Sequence, residues 1–318
     1  MMVEDKHFDL TGKRIYVAGD TGLVGKALVR ALSERDVTTI TASKAELDLR
    51  DQKRTHEFIA DHKPDVVLLA AAKVGGIEAN RTLPVDFLYD NLMIASNVIR
   101  ASAEHGATRL MNLASNCYYP REAEQPLRED SLLTGPFEPT NEAYATAKLA
   151  AMRLTQYYAS QHGKGFFTLV PTSLYGPGDH FDDERGHVIP ALINRFHQAK
   201  QNDLAEVTLW GTGSPTREFL YIEDAAQGML HFVEHYQGTE AINLAGGQSI
   251  SIRELGETIA NIVGYQGALN WDTNKPDGMP HKALDSERCF AYNWRPETSF
   301  NDGLKQTYRY YLDYVAAT

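Results

Sequence analysis

Only two cysteines, Cys117 and Cys289, occur in 318 residues. That is too few for a disulfide framework and points to a reducing compartment. A basic excess is also lacking: 31 Lys+Arg against 42 Asp+Glu leave a net charge of −11. This argues against nucleic acid or an anionic membrane as the main partner, while leaving room for a locally basic pocket. The longest apolar run, Val66 to Ala72, is far short of the roughly 20 residues of a membrane-spanning helix. Met1 to Leu10 carries Glu4, Asp5, Lys6 and His7 without an apolar stretch, so no signal peptide is expected and the predicted location is cytoplasmic. Repeats and low-complexity segments are absent, and the 24 Gly and 13 Pro are scattered among apolar runs, which excludes collagen-like and disordered chains. What remains is globular: 43% hydrophobic and 10% aromatic, enough for one large domain or two smaller ones.

From Lys13 to about Tyr175 short β-branched runs alternate with helical patterns. Strands are predicted at residues 14–18, 37–41, 65–71, 109–115 and 166–171. Helices are predicted at 23–34, 86–104 and 142–162; the second has Phe87, Asn91, Ile94, Val98 and Ala101 on one face. Such alternation means βαβ units and a parallel sheet. After Gly176 two Gly/Pro clusters flank a helix from Val188 to about Lys200. The predicted fold class is α/β: a Rossmann-like, doubly wound parallel sheet with a smaller C-terminal α/β substrate-binding domain. The predicted boundaries are 1–175 for the dinucleotide-binding part and 176–318 for the other. Residues of about 221–243 and the last helix are expected to return to the first part.

The run Gly19-Asp20-Thr21-Gly22-Leu23-Val24-Gly25 follows a predicted strand and opens a helix. The first glycine permits a tight turn, the second lets backbone N–H groups approach a pyrophosphate, and the third allows close helix packing. A helix N-terminus then favours the anion. This spacing resembles the short-chain dehydrogenase/reductase superfamily. After the second strand an acid usually holds the ribose of NAD, but here the chain reads Thr41-Ala42-Ser43-Lys44. Ser43 and Lys44 suit a 2′-phosphate, hence NADP (NADPH). The alternative is a solvated lysine in a surface loop. Asp48 and Leu49 follow as adenine-side contacts.

Tyr144-Ala-Thr-Ala-Lys148 puts a phenol and an ammonium on one helix face, and Ser115 stands at a strand end, on the carboxyl edge where open α/β sheets bind ligands. Hydride transfer to a ketone needs a proton for the developing alkoxide. A tyrosine has a reference pKa of about 10, and bringing it toward neutrality needs roughly 4 kcal/mol of preference for phenolate. Lys148 and a nicotinamide cation are expected to supply it, while Ser115 hydrogen-bonds the carbonyl.

Longer stretches narrow the resemblance. They include Ala70-Ala-Ala-Lys-Val-Gly-Gly76, Asn116-Cys-Tyr-Tyr-Pro120, Glu138-Pro-Thr-Asn-Glu-Ala-Tyr144, Pro171-Thr-Ser-Leu-Tyr-Gly-Pro177 and His187-Val-Ile-Pro-Ala191. Trp210-Gly-Thr-Gly-Ser-Pro-Thr-Arg-Glu-Phe219 and Lys275-Pro-Asp-Gly278 complete the set. In order and spacing, from Lys13 to Tyr314, they resemble the GDP-L-fucose synthase family of 3,5-epimerase/4-reductases.

The resemblance implies one site with two tasks. Cys117 and His187 match the base and acid that invert C3 and C5 of a GDP-4-keto-6-deoxy-D-mannose. Ser115, Tyr144 and Lys148 match the residues that reduce C4. The loop, the second strand end and the resemblance together place the cofactor along Gly19, Asp20, Thr21, Gly22, Leu23, Val24, Gly25, Ser43, Lys44, Asp48, Leu49, Ala71 and Ala72. Tyr144, Lys148, Pro171, Thr172, Ser173, Leu174 and His187 complete that surface. Arg195, Trp210 and Arg217 match positions on the GDP-sugar, with Lys275, Asp277 and Lys282 as further candidates. The resemblance also implies a homodimer through the 86–104 and 142–162 helices. No metal is implied.

Taken without the family, Cys117 reads as a small buried residue, His187 as a surface histidine, Arg217 as a loop brace and Trp210 as packing between domains. The chain also departs from the family pattern. Asp20-Thr21 stands for His-Arg, Ala42 lies where an Arg is expected, Ser173 replaces Asn, and Asn116 replaces the second Ser of Ser-Ser-Cys. The rival readings are a reductase or epimerase/reductase for a related GDP-4-keto sugar, and a noncatalytic cofactor-binding sensor.

Overall fold

Val66, Val67, Leu68 and Leu69 are all buried and form β3 (Val66–Leu69). A continuous apolar strand of this kind requires cover on both faces. In the computed structural model, which describes residues 7–182, 187–275 and 277–316, it lies near the middle of a six-stranded sheet. The other strands are β1 (Arg14–Ala18), β2 (Thr38–Ile40), β4 (Arg109–Leu113), β5 (Gly165–Pro171) and β9 (Ala241–Leu244), in the order β2-β1-β3-β4-β5-β9 and parallel throughout. Successive residues feed opposite faces: Ile15 and Val17 enter one apolar cluster, Tyr16 and Ala18 another. α1 (Leu23–Ser33) and α7 (Ile222–His235) pack together, as do α2 (Gln52–His62), α4 (Pro84–Glu104) and α5 (Glu142–His162).

The strand order reverses at β1, whose neighbours are β2 and β3. Ligands of open α/β sheets bind outside the carboxyl ends at such a point. Here those ends carry the glycine loop and the segment from Ala70, and the Ala70 N–H donates to the Ala18 carbonyl at 3.0 Å. α3 (Ile77–Thr82) follows that segment.

After β6 (Ser173–Tyr175) the chain builds a second layer. Here α6 (Val188–Gln201) packs on α8 (Ile252–Val263), and β7 (Glu206–Trp210) pairs with β11 (Ala268–Asp272). β8 (Thr216–Tyr221) pairs with β6, β10 (Gln248–Ser251) and β12 (His281–Lys282). The short α9 (Glu287–Ala291) then contacts β9.

Two expectations need correction. α2 was not foreseen, because Gln52–His62 is polar and buries only Thr55 and Ile59. The last helix, α10 (Phe300–Tyr314), packs on α8 and β8 rather than returning to the first part. Its buried residues Gly303, Leu304, Thr307 and Tyr311 face that layer, and the Tyr311 hydroxyl donates to Asn194 at 2.8 Å. Residues 222–244, by contrast, supply α7 and the sixth strand of the main sheet.

Candidate active site

Gly19 has φ +96, and a Cβ there would lie 2.7 Å from the Ala71 backbone. Only glycine lets β1 turn this close to the end of β3. At Gly25 a Cβ would come within 2.0 Å of the Gly19 carbonyl oxygen, so the third glycine packs α1 against its own loop rather than against the sheet. Gly22 is exposed, with its nearest neighbour at 3.6 Å. The cradle therefore opens at the helix N-terminus, where backbone donors favour an anion. Asn91, buried on α4, fixes the neighbouring segment by exchanging hydrogen bonds of 2.8 and 3.0 Å with the Lys73 backbone. Sequence reasoning counted Asn91 among apolar positions; a polar residue in that stripe was the available signal.

Ser43 is already engaged: its N–H and hydroxyl donate to Glu46 at 2.9 and 2.7 Å. Lys44 is exposed. Asp48 forms a bidentate pair with Arg50, which holds its carboxyl down at about 2, and Arg50 reaches Asp90 as well. Pro171 and Thr172 are buried, and Ser173 and Leu174 are half-buried at the start of β6. Ala71 and Ala72 are half-buried beyond β3.

The strand-end Ser115 accepts a 3.3 Å hydrogen bond from the Cys117 backbone N–H. Tyr144 lies in the first turn of α5, edge-on to Phe87 at 6.3 Å. Ser115 and Cys117 both stand near enough to the Tyr144 hydroxyl to act on its proton, the first favouring and the second opposing its loss. The turn that carries Cys117 packs on α5, so these side chains share one end of the sheet. Lys148, one turn on and buried, donates to the Leu113 carbonyl at 2.8 Å, with Nζ 5.8 Å from the Tyr144 ring centre.

The expected acidification of Tyr144 is not seen. Burial raises the phenol, with Cys117 adding to the rise and Ser115 opposing it. Burial also pulls Lys148 down to about 8. Desolvation disfavours both charged forms, and the ammonium is directed at a carbonyl. The phenol keeps its proton, as a donor to an alkoxide must.

His187 is exposed and caps α6; its Nδ1 lies 3.5 Å from the Asp179 Oδ1, and this carboxylate raises its pKa. Asp179 was not foreseen from sequence, since Gly176-Pro177-Gly178 masked it as loop. Arg195 is half-buried on α6. Arg217 donates to the Thr216 and Met279 carbonyls at 2.7 Å each and pairs in register with Lys282. Trp210 is 69% exposed with the Lys275 ammonium 5.4 Å over its ring, so it is not packed between layers. Asp277 accepts from the Thr212 N–H and hydroxyl at 2.9 and 2.7 Å. It thereby ties two loops together.

Residues 15–245 match the NAD dependent epimerase/dehydratase family, and the chain belongs to that family. Within this class it is 48% identical over 307 residues to the GDP-L-fucose synthase of Sinorhizobium fredii, covering 96% of this chain and 98% of that protein. It is 43% identical over 314 residues to the GDP-L-fucose synthase of Escherichia coli K12, covering 96% and 98%. The crystal structure of a GDP-L-fucose synthetase from Naegleria fowleri bound to NADP matches with TM-score 0.92 and 31% identity, over 98% of this chain and 97% of that one.

Proposed function

We propose that this chain converts GDP-4-keto-6-deoxy-D-mannose to GDP-L-fucose by inverting C3 and C5 and then reducing C4 with NADPH. The carrying observation is that the turn holding Ser115 and Cys117 packs on α5, which brings Tyr144 and Lys148 to the same carboxyl edge beside the glycine loop. The Gly19–Gly25 loop, which glycine lets pack closely on Ala71 and which opens α1, suits a dinucleotide, which when bound supplies the hydride for C4.

The 4-keto group acidifies the hydrogens on C3 and C5. The Cys117 thiolate takes such a proton, and His187 returns one from its imidazolium to the other face of the carbon. Ser115 donates a hydrogen bond to the C4 oxygen throughout. Tyr144 gives its proton to that oxygen as the hydride arrives, and the Lys148 ammonium favours the phenolate left behind. Arg195, Arg217 and Lys282 suit the diphosphate, and Trp210 the base.

The test is incubation with this keto sugar and NADPH, with product stereochemistry read by NMR. GDP-L-fucose is expected. A product that keeps the C3 and C5 configuration would leave a plain 4-reductase, and no NADPH consumption would overturn the reading.

The reading includes a homodimer. Val85, Tyr89 and Tyr157 are 75%, 59% and 61% exposed on α4 and α5, and an isologous pairing of these helices would cover them. A mass near 35.5 kDa by light scattering at micromolar concentration would refute it. Free Cys117 and Cys289 support a reducing, cytoplasmic setting. Among the described residues no helix is long and apolar enough to cross a membrane.

A further inference from the structure

The loop between β6 and α6 holds a carboxylate that the reaction described above does not use. The Asp179 side chain is only 2% exposed. One oxygen, Oδ1, accepts a 2.8 Å hydrogen bond from the His180 N–H and faces the His187 Nδ1 at 3.5 Å. The other, Oδ2, is buried without a hydrogen-bond partner among the described residues. A buried carboxylate so sparsely satisfied is costly unless a cation stands beside it.

His187 needs such a neighbour. It caps α6, and the positive end of a helix dipole disfavours an imidazolium. The Asp179 carboxylate is a charged group that acts on it in the opposite sense.

We propose that Asp179 is the positioning residue for His187: its carboxylate orients the ring through Nδ1 and keeps the imidazolium populated, so that Nε2–H points to the sugar. This rests on the reading of His187 as the proton donor in epimerisation. When the donated N–H bond breaks and the C–H bond forms, the ring becomes neutral and the Asp179 charge stays where it is. Reprotonation by solvent at Nε2 is then favoured, which resets the donor for the second centre. A carboxylate beside the distal ring nitrogen also fixes the tautomer.

The test uses the full-length protein with keto sugar and no reductant, following solvent deuterium incorporation at C3 and C5 against pH. Exchange should fall as pH rises through the His187 pKa. Asp179→Asn should move that fall down by about one pH unit, a scale set by loss of one neighbouring charge, with kcat reduced about 10-fold at pH 7.5 and KM little changed. Asp179→Glu should restore most of the profile. A uniform loss at every pH, without displacement of the profile, would make Asp179 a loop brace and overturn the proposal.

Direct NMR titration of the wild-type imidazole, assigned with His187→Gln, needs no folded Asp179 variant. A His187 pKa above the usual 6.5 is expected, and one at or below it overturns the proposal. Absence of exchange in the wild type would instead refute the epimerase reading itself.

Discussion

Lys148 donates to the carbonyl of Leu113, joining the first turns of α5 to the end of β4 two residues before Ser115. The bond fixes the strand end and the helix that carry Ser115 and Tyr144, but it holds an ammonium in a buried place. Burial depresses its pKa from 10.5 to about 8. Below pH 8 both the folded and unfolded states hold the proton, so the full desolvation cost weighs on the fold. Between about pH 8 and 10.5 only the unfolded state keeps it, and the fold gains stability as pH rises. Lys148→Met should therefore differ from wild type by an amount that shifts by about 2 kcal/mol in favour of wild type from pH 7 to 9.5. Urea unfolding at both pH values measures this; a constant difference would show that the buried ammonium is not destabilised. The variant should also lose reduction.

On the proposed reading of Ser43 and Lys44 as the 2′-phosphate site, Glu46 stands beside it: its carboxylate occupies both Ser43 donors and is held ionised by them. Lys44 remains as the cation able to favour NADPH over NADH, by about 10- to 100-fold for a charge-assisted contact. Lys44→Ala should reduce this ratio about 10-fold, and Glu46→Gln should raise it severalfold by removing the like charge. Equal kcat/KM for both cofactors in the wild type would show that Lys44 does not read the 2′-phosphate.

The parallel sheet and its glycine cradle were legible because β-branched runs, helical periods and glycine spacing are local properties of the chain. Glu142–His162 was placed to the residue, bounded by an acidic first turn and Gly163 in the left-handed region. Of the second layer, only α6 and the existence of a last helix were legible. Its strands pair with partners distant in sequence, a relation that no local pattern of residues carries. At the site, Tyr144 and Lys148 stood out by spacing, whereas Asp179 and Asn91 act through contacts that the fold alone creates. The direction of the Tyr144 shift depends on how deeply α5 is covered, which spacing cannot express.

Glu218 is a similar case. Its buried carboxylate accepts from the Gly246 and Gly247 N–H groups at 2.9 Å each and from Leu284 at 2.8 Å. It thereby binds three chain segments beside Arg217. An amide retains one acceptor oxygen and turns an NH2 toward a backbone N–H. Glu218→Gln should destabilise the protein by about 2 kcal/mol, the scale of a buried donor left unpaired. A denaturation midpoint equal to wild type would mean that the loops hold their places without it.

The sharpest separation concerns the two chemical tasks assigned to one site. Proton exchange at C3 and C5 needs a base and an acid on opposite faces of the carbon, whereas reduction at C4 needs a donor to oxygen. Cys117 is half-buried at the strand-end turn, and its N–H bond to Ser115 fixes the backbone there. His187 lies on the other layer, at the start of α6. Tyr144 holds its proton in the resting state. Cys117→Ser and His187→Gln should therefore bind NADPH normally yet lower deuterium incorporation at C3 and C5 by about 10²-fold or more, the usual scale for a positioned acid or base. Tyr144→Phe should keep exchange and lose NADPH oxidation, since removing the phenol leaves both partners of the proton relay at carbon intact. Wild-type exchange in both the Cys117 and His187 variants would move the base and acid elsewhere. Loss of exchange in Tyr144→Phe would instead mean that its hydroxyl polarises the ketone during enolisation as well, making the two tasks inseparable at that residue.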